Sequence, residues 1–118
     1  MTKYTAIITA LEGLEGPDRE VEIGIHLAVG GSIKNGWYRL PETSYTTQAA
    51  AEYTASLDAA IALVKRVMPK NTSFGIMETR TSVCAKIYQG STQISSECHP
   101  CYAIALLIAM FKALERIE

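Results

Sequence analysis

One segment limits what this chain can fold into more than any other. Every residue from Cys101 to Phe111 is apolar, and Pro100 stands immediately before them. Proline pre-sets the first turn of a helix, and the Ala- and Leu-rich stretch predicts a helix over Cys101–Ile117. The uncharged run Cys98–Phe111 is shorter than the roughly 20 apolar residues a membrane span needs. A helix lying on a sheet needs only an apolar stripe about 100° wide, so one that is apolar all round must be covered on its second side too. N-terminal helices could supply that cover, but they are short, and Gly13, Gly16 and Gly24 thin their surface. A two-fold dimer pairing this helix with its copy is the simpler expectation. Ile104, Leu107, Ile108 and Phe111 are its candidate interface.

The whole chain, 118 residues with 48% apolar and 19% charged content, is expected to form one domain, residues 1–118. A net charge of −1, with no basic cluster denser than Lys65-Arg66, argues against non-specific nucleic-acid binding. The start Met-Thr-Lys-Tyr lacks the pattern of a signal peptide. Three cysteines without a paired framework suit the cytoplasm. These features predict a cytoplasmic protein that does not enter the membrane.

Helical spacing of Ile7, Leu11 and Leu14 predicts a first helix over Tyr4–Leu14. Asp18–Val29 is ambiguous. Strict alternation of Val21, Ile23, Ile25, Leu27 and Val29 favours a strand, while Pro17, Asp18 and Glu20 form a helix start. Residues 30–47 carry no clear period and read as a long loop holding Trp37, Tyr38, Arg39 and Tyr45. Ser56 before Leu57-Asp58 is a good N-cap for a helix ended by Pro69. Three strands follow, Thr72–Met77, Val83–Tyr88 and Gln93–Cys98, with a hairpin turn at Gly90. The expected class is α+β: helices packed on a small three-stranded antiparallel sheet in a layered sandwich. Phe74, Ile76, Val83, Ala85 and Ile87 should share the buried face.

Gly16-Pro17-Asp18-Arg19-Glu20-Val21, Tyr53-Thr54-Ala55-Ser56-Leu57-Asp58-Ala59-Ala60 and Pro100-Cys101-Tyr102-Ala103-Ile104-Ala105-Leu106 together resemble the phage ABA-sandwich domain family of tailed phages and prophages. Order and spacing match over nearly the whole chain, with departures at His99 and in the aromatic loop 30–47. The resemblance implies helices layered on an antiparallel sheet and favours a helix over Asp18–Val29. It implies a phage or prophage setting but no catalytic residues.

Cys98-His99-Pro100-Cys101 has the spacing of a redox dithiol at a helix start, where amides and dipole stabilise thiolate. The βαβ context of a thioredoxin is missing, and the alternative is a proline-started helix whose two thiols could close a short disulfide. Zinc could in principle take Cys84, Cys98, Cys101 and His99 or His26, but the second paired motif of a structural site is absent. Ser56, Asp58 and His26 lack a nucleophile elbow, and Ser56 is better explained as a cap. Gly30-Gly31-Ser32 has no Walker lysine. No enzyme signature remains, and no cofactor or metal is expected.

Binding is the remaining class. Trp37, Tyr38, Arg39 and Tyr45 have the composition of interface hot spots, although loop aromatics also cover cores. Arg80, Lys86 and Tyr88 could line a pocket for an anionic small molecule, or be solvated strand positions. The leading expectation is a phage or prophage accessory protein that binds a host or phage protein without catalysis, with counter-defence as one use. The alternatives are sequestration of an anionic small molecule or signalling nucleotide, and a thiol-redox or zinc protein built on Cys98 and Cys101.

Overall fold

The computed structural model describes residues 4–41 and 46–117. Along the chain come α1 (Thr5–Glu12), α2 (Arg19–Ala28), β1 (Ser32–Lys34), β2 (Trp37–Arg39), α3 (Leu57–Val67), β3 (Thr72–Glu78), β4 (Val83–Gln89), β5 (Thr92–His99) and α4 (Tyr102–Ile117). Two helices start on caps visible in the sequence. The Asp18 carboxylate accepts the Val21 amide at 3.0 Å, and the Ser56 hydroxyl accepts the Ala59 amide at 3.2 Å. Capping decides the ambiguous segment: Asp18–Val29 holds a helix, not a strand. Its inner face is Glu22, Ile25 and His26, while Leu27 is 51% exposed. The apolar alternation therefore misstates which side chains are inside.

Strands β3, β4 and β5 form an antiparallel meander, with β4 central. Val83, Ala85 and Ile87 are buried on one face, and Phe74 and Ile76 pack against the same core half-buried. A bulge between Ile87 and Tyr88 passes over Ile94, so Ile87 faces Ser95 and Tyr88 faces Gln93.

Helix α4 lies against β4 and β5 and also against α1 and α3. Every residue from Ala103 to Phe111 is buried, so the sheet and the helix pair cover different sides of it. At about 1.5–3 kcal/mol for each large apolar side chain removed from water, α4 is the core of the molecule. The candidate dimer interface is thereby corrected. Ile104, Leu107 and Phe111 are 0% exposed and Ile108 is 2% exposed within a single chain. They present no surface to a second copy. The cover comes from α1 and α3, with the Tyr4 and Phe111 rings 5.5 Å apart across that contact.

The long loop is also corrected. Ser32–Lys34 pairs with Trp37–Arg39 as a second antiparallel ribbon. Asn35 and Gly36 have φ of +54° and +80°, the two positive values of a type I′ turn. Tyr38 then bonds Thr47 in both directions, N–H to carbonyl at 2.7 and 2.9 Å.

Candidate functional site

The β1–β2 ribbon sorts the aromatic residues by the alternation of a strand. Ser32, Lys34, Trp37 and Arg39 share the outward face, and Asn35 and Thr46 extend the shallow groove they line. Trp37 stays 46% exposed beside Lys34, its cross-strand partner. Arg39 is also exposed. The groove lining contains two cations and no carboxylate among the described residues. Tyr45 lies outside the described residues.

Tyr38 points the other way. Its ring meets the His26 ring edge-on, with centroids 5.2 Å apart at 70°. His26 is fixed in turn, because its Nε2 donates to the Ser32 carbonyl at 3.0 Å. Ser32 follows Gly31, where a Cβ would come within 2.5 Å of both the His26 carbonyl oxygen and Nε2. Only glycine lets the chain leave α2 so close to this ring. Behind the ribbon, Tyr38, His26, Tyr53 and Leu63 bound a cleft of about 170 Å³ whose lining also includes the exposed Thr47, Ala49, Ala51 and Ala62 and the half-buried Arg66.

The other expected binding residues lie elsewhere. Lys86 and Tyr88 project from the sheet face opposite α4, in rows with Gly75 and Ser96 and with Ser73 and Gln93. Arg80 is exposed in the turn joining β3 to β4, at the other end of β4 from Tyr88. These three lie along an open sheet face and its end, and the structure does not bring them together with Trp37, Tyr38 and Arg39. An antiparallel sheet commonly leaves one face in water, and these positions have that character.

The Cys98–Cys101 pairing is contradicted. Cys98 sits directly opposite Cys84 across β4 and β5, and the two form a disulfide. Cys101 is the free thiol, donating to the Thr54 carbonyl with Sγ 3.6 Å away. His99 is used on both sides of its ring. Its Nε2 donates to the Leu14 carbonyl at 2.8 Å, and its Nδ1 accepts the Cys101 amide at 2.9 Å. Among the described residues no three His, Cys, Asp or Glu side chains gather as metal ligands.

The three sequence segments that carry the phage resemblance meet in space. The Asp18 amide donates to the Thr54 hydroxyl at 2.9 Å, and Arg19 pairs with Glu22 while donating to the Ala50 carbonyl at 2.8 Å. Cys101, from the third segment, reaches Thr54 as described. Glu22 and Thr54 are buried at the centre of this junction and bonded to each other, with the exposed Arg19 closing it on the outside, so its chemistry is that of a clamp. Comparison with models of protein families, with curated proteins and with solved structures gives no match.

Lys34 and Arg66 are site residues that sequence reasoning did not single out, and it weighed His26 only as a zinc ligand or triad member. The Asn35-Gly36 turn signal, between two short alternating stretches, was sufficient to pair Lys34 with Trp37. Nothing in the sequence brings Arg66 near Tyr38, because their separation is closed only by the tertiary fold. Among the described residues no helix is long and apolar enough to cross a membrane.

Proposed function

We propose that this chain is a non-enzymatic accessory protein of phage or prophage origin. In this reading it works in the host cytoplasm, binding a protein partner through the outward face of the β1–β2 ribbon. The observation that carries the reading is the placement of Trp37. The chain's only tryptophan is not folded back over the core but stands 46% exposed on a paired ribbon, beside Lys34 and Arg39. Tryptophan and arginine dominate interface hot spots because a rigid indole loses little entropy on burial and guanidinium bonds in fixed geometry. A groove lined by two cations, with no carboxylate among the described residues, suits an acidic patch on the partner. The phage setting rests on the sequence resemblance of three segments, and interference with a host defence is the use this setting suggests.

The test is affinity capture from infected or lysogenic cells with wild type, Trp37→Ala and Lys34→Glu proteins side by side. The reading expects a partner held by wild type and lost by both variants, with Trp37→Ala weakening the purified pair by at least about thirtyfold, as removal of a hot-spot anchor does. A partner retained equally by all three proteins contradicts it.

A further inference from the structure

The inward side of the ribbon carries a separate site, and it does not rest on the partner-binding reading. The geometry points to the cleft behind Tyr38 as a binding site for a small planar carboxylate, an aromatic monoacid held ring-first with its charge at Arg66. Three observations lead there.

The walls are preformed. Tyr38 is tied to Thr47 through both backbone groups, and His26 is held by the Ser32 carbonyl and by the close approach of Gly31. The two rings meet edge-on and leave a fixed aromatic corner. A ligand entering it orders little that is not already ordered, which keeps more of the contact energy as affinity.

The space has the size of one ring. The cleft measures about 170 Å³, and a cavity of about 150 Å³ accommodates benzene. The floor is Leu63, 2% exposed, with Ala59 and Ala62 beside it. These alanines leave the room that larger side chains would fill.

The lining carries one cation that no described residue neutralises. Arg66 is half-buried at the rim, and among the described residues it makes no ion pair or hydrogen bond. Among the described residues no acidic side chain lines the cleft. Guanidinium presents paired N–H donors that match a carboxylate in plane. The Nε2 proton of His26 is committed to the Ser32 carbonyl, so Arg66 is the charged donor the lining offers an anion. One cation and room for one ring favour a monoanion over a nucleotide, which needs more of both.

The test uses titration calorimetry and amide chemical shifts on the whole protein, with benzoate as probe. Benzamide serves as the neutral isostere, and acetate as the charge without the ring. The expected result is saturable benzoate binding that shifts amides of Tyr38, Leu63 and Arg66, with benzamide and acetate each at least about tenfold weaker, the ratio one lost charged contact gives. Arg66→Gln should erase the benzoate–benzamide difference. Ala62→Leu, at an exposed position that leaves the fold intact by thermal unfolding, should abolish benzoate binding. The inference is overturned if benzoate does not saturate, if benzamide matches it, or if Ala62→Leu binds as wild type does.

Discussion

The Thr54 hydroxyl donates to the Glu22 carboxylate across 2.7 Å, and the Thr54 amide donates to the same oxygen at 2.9 Å. Glu22 is 1% exposed and Thr54 fully buried, so this is how a carboxylate is accommodated inside the molecule. The same hydroxyl accepts the Asp18 amide, which joins the start of α2 to the segment leading into α3.

Thr54→Val keeps the shape and removes the donor. It leaves a buried carboxylate short of a partner, and hydrogen bonds to charged groups contribute about 1.5–3 kcal/mol. We expect a urea midpoint lower by that amount of stability. A loss below about 0.5 kcal/mol, the range of neutral surface changes, would show that the clamp carries little.

Gly31→Ala should cost about 1–3 kcal/mol, because the added methyl meets the His26 carbonyl, which is backbone and cannot swing away. The His26 ring must then leave its edge-on contact with Tyr38. Two-dimensional NMR should show the cross-peaks between the two rings weakened in the variant, and unchanged cross-peaks would refute the tight approach.

The disulfide revises an expectation about the cysteines. The sequence allows a short disulfide between Cys98 and Cys101, yet Cys98 closes a loop with Cys84 at a sequence separation of 14. For a loop of about 15 residues the chain-entropy model gives roughly 3 kcal/mol. In oxidised protein, Cys84→Ser with Cys98→Ser should lose stability of that order, while Cys101→Ala should lose less. A non-reducing digest should join the Cys84 and Cys98 peptides; a Cys98–Cys101 link contradicts the structure. In the cytoplasm, glutathione and thioredoxin would hold the pair as thiols.

Much of the fold was legible because local chemistry and tertiary structure agreed. Ser56 and Pro69 bracket α3, alternation marks β4, and Pro100 opens α4. Three features were not legible as read. In α2 the alternation of five apolar residues pointed to a strand, but a cap fixed the helix and a buried Glu22 and His26 replaced apolar residues on its inner face. The cover of α4 could be assigned to a second copy only because sequence does not show that α1 and α3 reach it. The ribbon was missed although Asn35-Gly36 announced it, since strands of three residues give almost no period to count. Of the candidate site, Trp37 and Tyr38 were visible as a pair; that they face opposite ways follows from strand alternation once the ribbon is recognised.

Lys112 predicts a pH dependence. It pairs with Glu97 at 2.7 Å and Glu12 at 3.2 Å. The Glu97 carboxylate, then Glu12, holds its ammonium above the usual lysine range despite an opposing effect of burial. A folded pKa above the unfolded value of about 10.4 gives stabilisation that is complete below that value and lost as pH rises through the folded pKa. Tyr102, its pKa raised by a hydrogen bond to Glu78, loses its contribution at alkaline pH in the same sense. Stability should therefore stay level from neutral pH up to about 10.4 and fall as pH rises above it through the folded pKa, a fall that is shallower in Lys112→Met. Parallel curves for the two proteins would contradict the assignment.

Trp37 tests the central claim most directly, because it is the only indole in the chain and its emission reports one place. In the free protein its fluorescence should lie at the long wavelength of a solvated indole and be readily quenched by acrylamide. On titration with the captured partner it should shift to shorter wavelength and lose its access to quencher, with the same midpoint as binding measured by calorimetry. Emission that begins short and protected in the free protein, or that does not change as the partner saturates, would contradict the ribbon's outward face as the binding surface.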